Sequence, residues 1–307
     1  LIKQIFTLFK IIIVSLCIYF FYELLCENIN EIPTLNTSKP LYLIFLISLF
    51  TLNSLLLSFS WHMILNGYGN KSSYIKSSAF YHLTQFGKYF PGNFGHYISR
   101  AYYSNNINTS VFEIINFIYL ESYWLICAAI LSSYFIDFTL IFNVDYLSFL
   151  NYFFVKFVFF IISIYLFIYL NRKTIKFLSK IDLLSLNKIF NNNLSLLNHL
   201  IILTSYILYF TVSSFLLMLF VNEVLNYSDF SYYNFLGIVS ISWIIGFIIP
   251  GAPAGFGVRE YSLVLMLSLI MPISISISCS ILFRFFSLFS DALLFCAAFL
   301  LNKFLKN

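Results

Sequence analysis

The stretch "QFGKYFPGNFGHYISR" (85–100) interrupts an otherwise apolar chain with Pro91-Gly92-Asn93 and gathers Lys88, His96 and Arg100 around the interruption. Its meaning depends on the surroundings. Of the 307 residues, 61% are hydrophobic and only 9% are charged. A soluble domain carries about a quarter charged residues, so a water-facing surface is excluded. Runs such as "IFTLFKIIIVSLCIYFFYELL" (5–25) supply the roughly 20 apolar residues that a bilayer core of about 30 Å needs. A helix broken inside a membrane leaves backbone N–H and C=O groups unpaired, which is tolerated only where protein or a watery cavity satisfies them. The sequence therefore predicts an all-α polytopic membrane bundle of about 7–8 spans, a single integral membrane domain over 1–307, with re-entrant or broken helices after its Pro-Gly motifs.

Apolar segments fall at 5–25, 41–64, 111–135, 152–170, 200–222, 233–249, 258–271 and 274–302. The first is too long for a signal-peptide core and reads as a retained span. The charges between segments alternate in sign, and the basic groups all fall on one side. By the positive-inside rule both termini and the loops at 66–110 and 171–199 are cytoplasmic. Residues 171–199 form the most basic loop, able to lie along anionic headgroups. In 72–90, Ile75, Ala79, Leu83, Phe86 and Phe90 share one helical face. That stretch is too polar to cross alone, so 71–104 reads as interfacial or re-entrant. The 258–271 segment, within 250–272, reads as a half-helix or a short span before Pro272. Five cysteines without CxxC spacing predict neither a disulfide framework nor a zinc site.

A second break occurs in "IIPGAPAGFGVREYSLVLML" (248–267). Pro91-Gly92, Phe94-Gly95 and Arg100 are echoed by Pro250-Gly251, Phe256-Gly257 and Arg259. Paired Gly/Pro-interrupted segments point to a transporter binding site. Asn93 is placed to cap a helix beginning near Phe94, and Gly255 to open one near Gly257. Each restarted helix offers free N–H groups and a positive dipole to an anion. Glu260 suits that dipole, whereas Arg259 opposes it and calls for an anionic partner, a protein carboxylate or a phosphate. Lys88, His96 and Arg100 form a positive rim at the first break that suits a headgroup phosphate.

Glu121, Arg284 and Asp291 lie within spans and must face the bundle interior or water. Arg284 and Asp291 share a face about 10 Å apart along the axis, too far to bridge readily. Glu121 is the acid expected to meet Arg284. The three form either a polar lock between helices or the lining of a substrate path.

The two break stretches, with Glu121 and Arg284, resemble the signature regions of the lysylphosphatidylglycerol synthase transmembrane region family, whose stand-alone relatives are flippase-like membrane proteins. The resemblance covers essentially the whole chain. It implies a helical bundle of the bacterial inner membrane that handles an anionic lipid, a phospholipid or a polyprenyl-linked sugar, in envelope or polysaccharide biosynthesis. The aminoacyltransferase domain of the full-length synthases has no counterpart in these residues, so lysyl transfer is not carried over. Pro253 and Ser122 depart from the family pattern. No GxxxxGK[ST] motif is present, and no cofactor, metal or nucleic acid is expected. Two alternatives stay open: a polyprenyl-dependent glycosyltransferase using Glu27 and Glu31, and a scaffold for an envelope synthase.

Overall fold

The longest apolar runs form the longest helices. The computed structural model describes residues 40–89, 94–133, 195–224, 232–249 and 253–306, with Tyr19, Tyr22, Glu23, Cys26, Glu27 and Ile161. Among them are eight α-helices: α1 Pro40–Gly67, α2 Tyr74–Gln85, α3 Gly95–Tyr102, α4 Val111–Ser133, α5 Leu196–Leu219, α6 Tyr232–Ile248, α7 Val258–Leu267 and α8 Ile273–Lys306. Stretches of 27, 23, 26 and 31 residues, in α1, in α4, in α5 with the π-turn that follows it, and in α8, are long and apolar enough to cross a membrane. At about 1.5 Å per residue, α8 is about 51 Å long and projects beyond a core of about 30 Å. The predicted segments 5–25 and 152–170 lie outside the described residues, as does most of the basic loop 171–199. Its last residues are the N-cap Ser195, which accepts the Asn198 N–H, and the first turn of α5.

Helix α7 bears on one open choice. It has 10 residues, about 15 Å of helix, half the thickness of a bilayer core of about 30 Å. Helix α2 corrects another expectation. Its first predicted face residue, Ile75, is 58% exposed, while Ser77 through His82 and Thr84 are all buried. An interfacial helix would leave its polar side in water; α2 is instead enclosed between α1 and α8. Its hydroxyls find partners there: Ser77 Oγ lies 2.8 Å from His62 Nδ1 and Ser78 Oγ donates to Ser58 Oγ at 3.0 Å. That satisfaction is what lets so polar a helix enter the bundle.

Cross-helix polar contacts tie the spans together in the manner of membrane helices. Asn53 Nδ2 donates to Ser213 Oγ at 2.8 Å, and the Ser60 and Ser205 hydroxyls meet at 2.7 Å, both joining α1 to α5. Trp61, Phe117, Tyr206 and Phe210 centre one apolar core between α1, α4 and α5. Phe50, Phe220 and Phe286 centre another against α8. The last helix packs against both short helices that flank the breaks, α2 and α7.

Candidate functional site

The two breaks converge. The 3-10 turn Phe86–Tyr89 before the first packs against the 3-10 turn Pro253–Gly255 after the second. Pro91, Gly92, Asn93, Pro250 and Gly251 lie outside the described residues, but their flanks are defined. At the first, a Cβ on Gly87 would stand 2.8 Å from the Gly95 carbonyl carbon and the His96 nitrogen, so only glycine lets the two limbs pass. Phe94 occupies the N-cap of α3 with no side-chain cap bond, one residue beyond the position expected for Asn93. At the second, Ala254 is left-handed (φ 51°) and Gly255 and Gly257 also have positive φ. A non-glycine residue in that region stores about 1–2 kcal/mol.

Three ion pairs hold this architecture. Arg100, with no exposed surface, pairs with Glu121 and donates from Nη2 to Gln85 Oε1 at 2.7 Å. Its guanidinium lies 4.5 Å and 4.4 Å from the Trp61 and Tyr81 ring centres, a stacked cation position. Arg284 Nε lies 2.9 Å from Glu260 Oε1, and its Nη2 donates to the Ala254 carbonyl at 3.1 Å. Glu260 Oε2 accepts the Gly257 N–H at 2.6 Å, so this carboxylate closes the start of α7. Lys88 Nζ lies 2.7 Å from Asp291 Oδ2, which also accepts the Tyr89 hydroxyl at 2.5 Å.

These pairings correct the expected Arg284–Glu121 contact. Glu121 belongs to Arg100, and Arg284 belongs to Glu260, because α8 packs on α2 and α7 while α4 packs on α3, α5 and α6. Glu121, Arg284 and Asp291 therefore form three separate locks. Two of them fasten the breaks to α8, Arg284 at the second and Asp291 at the first.

Arg259 differs from the other buried-side cations. Among the described residues no carboxylate pairs with it; its Nε is buried without a hydrogen-bond partner, as are those of Arg100 and Arg284, which have carboxylates to answer their charge. Its stem runs through a slot between two glycines: a Cβ on Gly246 would fall 2.1 Å from Arg259 Cγ, and one on Gly255 2.7 Å from Nε. The guanidinium sits 5.4 Å from the Trp243 ring centre. Its backbone is fixed by the Ser242 hydroxyl, which donates to the Arg259 carbonyl at 2.9 Å.

Two cavities meet at this residue. One, of about 100 Å³, is bounded by Lys88, Tyr89, Glu260, Arg284 and Asp291; the other, of about 310 Å³, by Gln85, His96, Tyr97, Glu121 and Phe247. Lys88, Tyr209, Trp243 and Arg259 line both. His96 is 9% exposed and its Nδ1 is buried with no partner. Outside the spanning helices, burial lowers the Lys88 pKa against the pull of Asp291. Burial, then Arg100 and Lys88, hold the His96 imidazole far below its ordinary value, so the ring is neutral. Both shifts arise where charge is poorly solvated, and at His96 the neighbouring cations add to the effect.

Of the residues singled out for headgroup binding, Lys88, His96 and Arg259 face the cavities together. Arg100 is sealed behind them by Glu121, and Glu260 is turned to α7 and Arg284. Sequence reasoning missed Trp243, Gly246, Tyr89 and Gln85. Only Gly246 carried a signal, an isolated glycine inside an apolar helix, which marks a close approach.

The family model described as the lysylphosphatidylglycerol synthase TM region matches residues 7–294. Among curated proteins, none matches the chain.

Proposed function

This chain belongs to the lysylphosphatidylglycerol synthase transmembrane region family, a membrane protein group linked to lipid or envelope biogenesis, and from that premise we propose that it is a flippase-like protein handling an anionic lipid. The observation that carries the reading is Arg259: a side chain threaded between Gly246 and Gly255, without a carboxylate among the described residues, at the junction of two cavities. An uncompensated cation in a poorly solvated place is unfavourable by several kcal/mol. A phosphate entering the junction removes that penalty. Lys88 and His96 supply further donors, while Arg100, Glu260 and Asp291 hold the surrounding helices in position.

The protein works in the bacterial inner membrane, with its basic loops and termini in the cytoplasm as the charge bias directs. Its partners are membrane lipids or an envelope synthase. Movement of the lipid draws on a gradient, a partner or a downhill distribution.

The test is reconstitution of the whole chain in liposomes containing a fluorescent phospholipid, with an impermeant quencher reading the outer leaflet. Wild type is expected to scramble the lipid, and Arg259→Ala, matched for folding by size-exclusion profile, to lose at least tenfold of the rate. Correctly folded wild type that scrambles neither phospholipid nor polyprenyl-linked sugar overturns the reading in favour of a scaffold or enzyme role.

A further inference from the structure

The cavities also define how much charge their occupant carries. Among the described residues, four cations stand in or directly behind the cavity walls: Lys88, Arg100, Arg259 and Arg284. Three carboxylates oppose them, Glu121, Glu260 and Asp291, each already paired. With the neutral His96 ring the balance is one positive charge, and it resides on Arg259. In a medium of low effective dielectric, a guest that leaves a whole uncompensated charge is strongly disfavoured.

The larger cavity adds a second constraint. Glu121, its one carboxylate among the described residues, is neutralised by Arg100. Lys88 and Arg259 stand at its junction with the smaller cavity, and the polar groups farther in are uncharged: His96 Nδ1 with no partner, the Ser122 hydroxyl 3.2 Å from the Tyr97 hydroxyl, and Gln85. Trp243 and Phe247 stack there at 5.1 Å and present flat apolar surface. This chemistry receives hydroxyl-bearing groups and offers nothing to neutralise an ammonium.

We infer that the substrate is a singly charged phosphodiester lipid whose headgroup beyond the phosphate is an uncharged polyol or sugar. The phosphate sits on Arg259, and the headgroup lies in the cavity between His96 and Trp243. This rests on the lipid-handling reading above and narrows it. A phosphomonoester, with a second ionisation near pH 6 and up to two charges at neutral pH, leaves an excess negative charge, as does a diphosphate. An aminoacylated headgroup brings a cation that meets no unpaired carboxylate among the described residues and shares the cavity with Lys88 and Arg259.

The experiment compares five lipids in the same liposomes: phosphatidylglycerol, a polyprenyl-phosphate sugar, a polyprenyl-diphosphate sugar, phosphatidic acid and lysylphosphatidylglycerol. Arg259-dependent movement is expected for one or both of the first two, at least tenfold faster than for the other three; which of the two moves decides between a glycerolipid and a polyprenyl source. Asp291→Asn gives the charge count its own test. Removing that carboxylate raises the balance to two positive charges and is expected to shift preference toward phosphatidic acid by about tenfold. A folded Asp291→Asn protein that keeps the wild-type preference overturns the inference. So does wild type that moves the diphosphate, phosphatidic or lysyl lipid as fast as phosphodiesters, although the lipid-handling reading then stands. Movement of none of the five by folded protein removes both.

Discussion

The two breaks present the same order of residues, Pro-Gly, Phe-Gly and a following arginine, yet their arginines end in opposite electrostatic situations. Arg100 is enclosed on every side, with Glu121, Gln85, Trp61 and Tyr81 around its guanidinium. Arg259 has Trp243 beneath it, two glycines along its stem and no carboxylate among the described residues. Residue type and motif order are shared, although Arg100 lies in the last turn of α3 and Arg259 in the first turn of α7. The partner decides the role: one arginine holds two limbs of the bundle together, and the other is held in place with its charge unanswered.

The sharpest way to break this comparison is to unpair the sealed arginine. Glu121→Ala leaves a buried guanidinium without its counter-charge, a loss of about 3–5 kcal/mol. Thermal unfolding in detergent, followed with a thiol-reactive dye reporting the buried Cys127 and Cys279, should show the largest destabilisation of any change at the site. Replacing both partners by apolar residues, Arg100→Met with Glu121→Leu, should recover most of that loss, since a buried ion pair adds little over good apolar packing. If Glu121→Ala unfolds like wild type, Arg100 is not structural and the contrast between the breaks disappears.

A smaller effect is expected at the lock on α8. Asp291→Asn keeps an oxygen for Tyr89 but removes the charge facing Lys88. Hydrogen bonds to charged groups contribute about 1.5–3 kcal/mol; because Lys88 keeps 21% of its side chain exposed, solvent screening should bring the loss below that range, to about 1 kcal/mol. The same dye assay measures it. A loss as large as that of Glu121→Ala would place the Lys88 lock, not the Arg100 seal, at the centre of the fold.

Much of this architecture was legible before any coordinates. Apolar run length anticipated the four described helices long enough to cross a membrane, the brevity of 258–271 agrees with the 10 residues of α7, and the repeated motif marked two breaks that the fold brings together. What the sequence could not convey was which acid meets which base. Glu121 and Arg284 both lie deep within spans, and depth alone made them partners. Pairing also depends on which helices are neighbours and how each is rotated, and α8 faces α7 rather than α4. The enclosure of α2 was hidden for a related reason. Its serines and His82 look like a water-facing side until Ser58 and His62 of α1 are found opposite them.

Gly246 offers an intermediate case. A methyl group there would stand 2.1 Å from Arg259 Cγ, so Gly246→Ala must push the arginine from its slot or separate α6 from α7. Alanine is otherwise the better helix former by about 1 kcal/mol, which offsets part of the strain. The expected net change in stability is therefore under about 1 kcal/mol, with scrambling reduced several-fold because the cation no longer reaches the junction. Unchanged scrambling would mean that the exact position of the guanidinium is immaterial.

Arg259→Met is the smallest perturbation to the fold and the most informative about it. Methionine keeps most of the unbranched stem between Gly246 and Gly255 while deleting the charge. No protein carboxylate among the described residues is left unpaired by the change, since Glu260 remains on Arg284 and Gly257. Removing an unanswered cation from a poorly solvated site should leave stability within about 0.5 kcal/mol of wild type or slightly raise it. Lipid movement should nevertheless fall at least as far as in Arg259→Ala. Function lost at unchanged or improved stability is the signature of a residue kept against the interest of the fold. A clear destabilisation instead would mean that the charge of Arg259 is answered within the fold, and that both breaks are structural seals.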